Sequence, residues 1–204
     1  MTQLAKLLGF LSDGSVWRME ALIKSGITAA TVSRAVSAGL VERVSRGTYR
    51  SASASFDQFA DFALVSARAP GGVICLYSAA SFHGFGDVSP FEVWLAIPNQ
   101  GRPPKIEWPK VRAVRWRSSW ALSIGVETHT VSGVAVKMTG RPRTVLDMLR
   151  MKATVGEDRA LEVLRDFTAG GGSLAEVRTM AERFSVGRSV APYLNAFSHM
   201  ERMS

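Results

Sequence analysis

Three glycines divide the first 50 residues and restrict what they can fold into. Gly26 closes a helix-patterned run at 19–25, Gly39 closes one at 28–38, and Gly47 splits residues 40–50. A glycine directly after such a run is where a chain takes the left-handed conformation that ends a helix. Leu4, Leu7, Leu8 and Leu11 fall at helical spacing behind Thr2 and predict a first helix capped by Thr2 and ended by Asp13-Gly14. Residues 16–18 read as a short extended link. The second helix, 19–25, should turn Leu22 and Ile23 inward. Thr28 should cap the third, with Val32, Ala35 and Val36 facing the core. Residues 40–44 and 48–50 alternate around Ser45-Arg46-Gly47 and predict a hairpin. Helix, helix, tight turn, helix, hairpin is the order of a winged helix-turn-helix.

That order points to DNA. On the third helix Thr28, Ala29, Thr31, Ser33, Arg34 and Ser37 should lie on or near the outer faces. Small polar side chains around one arginine allow close approach to a major groove, where arginine reads guanine O6 and N7. Arg43, Arg46 and Arg50 lie on or beside the hairpin, within reach of phosphates or a minor groove. Charge agrees: 25 basic against 17 acidic residues give +8. Residues 1–50 hold seven basic and three acidic residues, the densest positive surplus in the chain. Small three-helix units also serve as protein-interaction modules, and a charged hairpin is often only a solvated one.

The rest reads as a second domain. Ser51-Ala52-Ser53-Ala54-Ser55 is linker-like, which puts a DNA-binding domain at 1–52 and a second domain at 56–204. A helix should begin at Phe56, with Phe59, Ala63 and Ala67 inward and Asp57 and Asp61 outward. A strand follows at 73–76, then a helix capped by Ser78 and running to His83. Strands are expected at 91–97 and 111–117, and one or two more at 126–138 turning at Ser132-Gly133. Helices are expected at 144–152, 157–167, 173–184 and 190–200, with a flexible break at 170–172. The fold class is α+β: a winged helix-turn-helix, then a mixed α/β domain with a helical C-terminal end.

Two further clusters carry chemistry. Arg141, Arg143, Thr144 and Asp147 open a helix, with Arg143 and Asp147 at i, i+4. They form either a structural ion pair or a surface for a partner or for antitoxicity. Residues 102–120 hold six basic side chains, among them Arg112, Arg115 and Arg117, interleaved with Trp108, Trp116 and Trp120. That mixture suits single-stranded nucleic acid. It equally suits an edge strand guarded by charge, its tryptophans packed inward.

Other chemistries find little support. Ser78, His83 and Asp87 lack the Gly-x-Ser-x-Gly elbow of a hydrolase, and His83 fits a structural hydrogen bond. Cys75 sits in an apolar strand, and His83, His129 and His199 have no ligand spacing, so neither a metal nor a cofactor is expected. The composition, 47% hydrophobic and 21% charged, is that of a folded chain. The longest uncharged stretch, 69–86, holds four glycines and a proline, and no signal peptide or membrane span is read. A soluble, cytoplasmic protein is expected.

Several segments, in order, resemble one family. LIKSGITAATVSRAVSAGLVERVSRGTYR at 22–50 is similar to the N-terminal winged helix of AbiEi-type antitoxins of bacterial type IV toxin–antitoxin systems. YSAASFHGFG at 77–86 resembles that family's Ser-Ala-x-x-x-His-Gly-Leu segment, with Phe85 in place of leucine. VWLAIPNQGRPP at 93–104 and GRPRTVLDMLR at 140–150 resemble its strand with a basic turn and its Pro-x-Arg-Thr element. The resemblance implies a repressor of its own operon that binds promoter DNA through the winged helix, as a monomer or dimer. It implies a C-terminal antitoxin domain and a nucleotidyltransferase-like toxin as functional partner, without a required stable complex. The setting it implies is phage defence by abortive infection.

Overall fold

The computed structural model of the chain describes residues 2–11, 16–52, 59–86 and 91–203. The expected helix end at Asp13-Gly14, the linker residues 53–55, Phe56, Asp57 and Asp87 lie outside them. The protein is mixed α+β and divides into two compact units. One comprises Met1–Gly71, Arg102–Val111 and Thr128–Val136; the other comprises Gly72–Gly101, Arg112–Glu127 and Lys137–Ser204.

The first unit opens with α1 (Gln3–Leu11), β1 (Trp17–Arg18), α2 (Met19–Lys24), α3 (Ala29–Ser37), β2 (Val41–Ser45) and β3 (Thr48–Ser51). Leu7 and Leu11 of α1 meet Leu22, Ile27, Val32, Ala35 and Val41 in one apolar cluster. The leucine spacing of α1 therefore serves burial, and Thr2 Oγ1 accepts the Ala5 N–H at 3.3 Å to start the helix. Gly26 has φ +84°, which lets α2 stop and α3 start at a new angle. β1, β3 and β2 form an antiparallel sheet in that order. Ile23 departs from expectation: it is 52% exposed while Leu22 is fully buried. Leu22 joins the cluster with Leu7 and Leu11, while Ile23, about 100° further round this helix, faces away from it. α4 (Ala60–Arg68) buries Phe62 through Ser66 consecutively rather than along one stripe. Asp61, expected on the outside, is half-buried, and desolvation raises its pKa against the pull of Arg50.

The remaining elements are β4 (Val73–Ile74), α5 (Leu76–Phe82), β5 (Val93–Pro98), β6 (Val111–Trp116), β7 (Val126–Val131) and β8 (Val134–Thr139), then α6 (Arg141–Arg150), α7 (Lys152–Val155), α8 (Glu157–Ala169), α9 (Leu174–Arg183) and α10 (Gly187–Met203). The strands form one sheet in the order β6-β5-β4-β8-β7. β4 runs antiparallel to β5 and parallel to β8. β7 and β8 join through Ser132 and Gly133, both at positive φ, the geometry that matches strand twist in a two-residue hairpin. α6 packs against α5, α8 and α9, and its Val145, Leu146 and Leu149 are buried as expected. Among the described residues no helix is long and apolar enough to cross a membrane.

Two expectations fail here. Ser78 does not cap α5: Cys75 holds the N-cap position, and the Ser78 Oγ accepts the Trp94 N–H at 2.9 Å from inside the helix. Residues 170–172 are not a loose break. The Gly171 N–H reaches Thr168 O at 2.9 Å and the Gly172 N–H reaches Phe167 O at 2.8 Å, the paired bonds of a Schellman cap on α8. A Cβ on Gly172 would stand 2.5 Å from the Phe167 ring, so glycine is needed there for contact, while the turn itself is made at Gly171 with φ +77°.

Candidate nucleic-acid interface

α3 starts on Thr28, whose Oγ1 accepts the Thr31 N–H at 3.3 Å. Gln3 of α1 fastens this start. Its Oε1 accepts from Thr28 Oγ1 at 3.0 Å and from Thr31 Oγ1 at 2.8 Å, and its Nε2 donates to Gly26 O at 3.3 Å. One side chain thus fixes the turn that aims α3. Thr31 is therefore corrected: it is 4% exposed and bonded inward, not part of an outer face. It lies one turn after the cap, so its hydroxyl reaches back to the Gln3–Thr28 pair.

Thr28, Ala29, Ser33, Arg34 and Ser37 are exposed as expected. Ala29, Ser33 and Ser37 recur every four residues and make a shallow strip of small side chains. Arg34 stands beside it, its Nε bonded to Ala30 O at 3.4 Å, and it makes no ion pair among the described residues. It also edges a groove of about 410 Å³ with the half-exposed Leu4 and Leu40.

The β2–β3 hairpin follows. Arg43, opposite Tyr49, and Arg46, at the turn before Gly47, are both exposed. Arg50 is different. It pairs across the strands with Glu42, its Nη2 2.9 Å from Oε2, so its charge is largely matched within the hairpin. Arg68, at the end of α4, carries no functional signal in the sequence. Its guanidinium donates to Ser45 Oγ, to Arg46 O and, at 3.0 Å, to Thr48 Oγ1, gripping the hairpin turn. Nothing local marks either Arg68 or Gln3. Their partners stand 20 or more residues away in sequence.

The second cluster is internal. Arg143, Thr144 and Asp147 are all 0% exposed, which corrects their reading as a partner surface. The expected ion pair is present, Arg143 Nε to Asp147 Oδ2 at 2.9 Å, and Arg150 Nε meets the other carboxylate oxygen at 2.7 Å. The Arg143 guanidinium also donates to Ile124 O and Ala121 O and stacks on Phe184 and Trp116, at 3.9 and 4.6 Å to the ring centroids. Burial lowers its pKa, and Asp147 opposes that shift. Thr144 Oγ1 bonds Thr139 O at 3.0 Å. Arg141 is only partly buried and stacks on Phe85 at 4.7 Å.

The segment 102–120 is not one surface: 102–111 belongs to the first unit and 112–120 to the second. β6 is an edge strand, with Arg112, Arg115 and Arg117 exposed on or just beyond it. Trp116 is 4% exposed: it packs inward, as the guarded edge-strand alternative has it, and is not open to stack on an incoming base. Arg112 pairs with Glu92 at 3.2 Å and stacks on Trp94 at 4.4 Å.

With this geometry in view, residues 13–52 match the family model described as "Transcriptional regulator, AbiEi antitoxin". That match is a similarity over the first quarter of the chain. The match holds the α2–α3 turn, all of α3 and both hairpin strands. No curated protein matches the chain. Among solved structures, the RV2827C protein from Mycobacterium tuberculosis is similar, with a TM-score of 0.64 and 16% identity. The likeness covers 96% of this chain and 77% of that one, and it shows a shared fold.

Outside residues 13–52 the described side chains weighed for catalysis are held in structural roles. Ser78 Oγ is engaged by the Trp94 N–H, and His83 Nε2 meets Thr139 O at 2.7 Å, the structural bond expected of it. Cys75 is fully buried and its thiol pKa is pushed far up by desolvation, which leaves an inert small hydrophobe. No cluster of three or more His, Cys, Asp or Glu suited to a metal occurs there.

Proposed function

We propose that the chain is an antitoxin and transcriptional autorepressor of a type IV toxin–antitoxin operon. Residues 1–52 act as a winged helix-turn-helix on inverted repeats in its own promoter, and residues 56–204 act as the antitoxin domain. The observation that carries this reading is a capped, braced α3 with a strip of small exposed side chains and Arg34, followed directly by a hairpin bearing Arg43 and Arg46, all inside the AbiEi-type segment. In this reading Ala29, Ser33 and Ser37 let α3 seat in the major groove, and Arg34 reads a guanine. Arg43 and Arg46 hold flanking phosphates, and Arg50, matched by Glu42, contributes less. The protein binds as a monomer or dimer. Its functional partner is a nucleotidyltransferase-like toxin, and the pair serves phage defence in the cytoplasm.

The test is fluorescence anisotropy with overlapping fragments of the DNA upstream of its start codon, against scrambled controls and across a salt series. Binding to one fragment about a thousandfold tighter than to scrambled DNA supports the repressor. Equal, steeply salt-dependent binding to every fragment would reduce the surplus charge to a general phosphate grip and refute it.

A further inference from the structure

The second unit holds a cleft of about 730 Å³, inside the range of roughly 300–1,000 Å³ usual for small-molecule sites. Its wall has an unusual balance of charge. Arg115, Arg117 and Arg150 line it, and among the described residues no acidic side chain does. Behind it the buried Arg143 shares one carboxylate, Asp147, with Arg150, so four guanidiniums stand against a single negative charge. Such a surplus favours an anion bearing more than one charge.

The same wall is aromatic. Trp120 is 42% exposed and lies edge-on to Phe184, at 4.9 Å between centroids and 62° between planes. That contact fixes the indole while leaving part of it open to a planar ligand. Trp116 lines the cleft too, and its buried indole N–H has no hydrogen-bond partner among the described residues. Guanidiniums recognise phosphate bidentately, and an exposed, braced indole stacks a base.

We propose that this cleft binds a nucleoside phosphate, its base stacked on Trp120 and its phosphates on Arg115 and Arg117. The site belongs to the second unit and is independent of duplex binding by residues 1–52. The ligand's source is a free nucleotide or the end of a single strand, which share this chemistry.

Isothermal titration calorimetry on the full chain tests it, with adenosine and cytidine diphosphates, inorganic pyrophosphate and a short oligothymidylate as probes. A nucleotide should bind saturably at micromolar concentration, and pyrophosphate, lacking a base, about tenfold or more weaker. Trp120→Ala should cost about tenfold in nucleotide affinity, and Arg117→Glu and Arg115→Glu should abolish binding. Melting curves of the three variants check that each is folded, and the two arginine positions are exposed enough to tolerate change. The oligothymidylate binding more tightly than the diphosphates supports the site with a strand end as its source; the reverse order supports it with a free nucleotide. Absence of nucleotide binding up to millimolar concentration overturns the proposal. So does equal binding of pyrophosphate, or unchanged affinity in all three variants. Parallel loss of promoter-duplex affinity in Trp120→Ala would also overturn it, by making the cleft part of the duplex interface.

Discussion

The two units use arginine in opposite ways. In the first, Arg34, Arg43 and Arg46 stand exposed on a helix and a hairpin, over a core of leucine, isoleucine, valine and Tyr49. In the second, Arg143 is sealed between Phe184 and Trp116, bonded to Asp147 and two carbonyls. All four are plain arginines in amphipathic surroundings. The difference is what the fold brings opposite them: solvent in the first unit, rings and oxygen atoms in the second. An exposed guanidinium keeps its hydration until a phosphate or base replaces it. A buried one has already exchanged that hydration for fixed partners, and any change there is felt by the fold.

Removing the buried charge tests this contrast most severely. Arg143→Met should lower unfolding free energy by about 3 kcal/mol, because Asp147 loses one of its two partners inside the core. Urea denaturation measures it, and Arg143→Met/Asp147→Leu should recover most of the loss. A single variant as stable as the parent would mean Arg150 alone satisfies the carboxylate. Next comes Arg34→Ala. It should cost about 1–3 kcal/mol in specific binding and leave the melting temperature unmoved. A drop in stability without a change in specificity would place Arg34 with Arg143 rather than opposite it. Thr31→Val sharpens the boundary between the two uses. It removes the hydroxyl that Gln3 holds and should destabilise by about 1–2 kcal/mol, while the folded protein keeps its sequence preference. If preference changed with stability intact, Thr31 would belong to the interface after all.

Smaller effects separate the hairpin arginines. Arg46→Ala should reduce affinity for every sequence alike and lower the salt slope by about one. Arg50→Ala, whose charge Glu42 already matches, should change that slope less. The smallest expected effect concerns Asp61. Desolvation raises its folded pKa above the ordinary 3.8, so its protonated form favours folding and stability falls as pH rises past that value. Asp61→Asn should therefore raise the melting temperature slightly at pH 7 and not at pH 3. A loss at pH 7 would mean that the attraction to Arg50 outweighs the burial.

What was legible in the sequence was local. The α2–α3 turn at Gly26, the Thr28 cap, the hairpin at Gly47 and the Arg143–Asp147 spacing depend on neighbours within a few residues, and each is found as read. What was not legible depends on distant partners. Ser78 sits where a helix cap would, yet its hydroxyl serves a strand 16 residues on. Thr31 has the side chain of a groove contact, but Gln3 claims it from 28 residues away. The spacing of Arg143 and Asp147 shows an ion pair but not its depth, which the rings of Trp116 and Phe184 set from 27 and 41 residues away. Most of the candidate interface could be read because it projects outward and answers to few neighbours. The parts that aim it could not.

The grip of Arg68 on the hairpin turn has a practical meaning. A hairpin that swings freely must be brought to rest when it meets a phosphate backbone, at a cost in conformational entropy. Here its tip is already moored, through Ser45, Arg46 and Thr48, to the end of α4. That ordering is completed during folding, so under the proposed function the hairpin would meet DNA already in its working pose. The mooring point lies beyond residue 52, outside the stretch that matches the AbiEi antitoxins. A fragment cut at the edge of that similarity would keep Arg34, Arg43 and Arg46 and lose the anchor that holds the hairpin still.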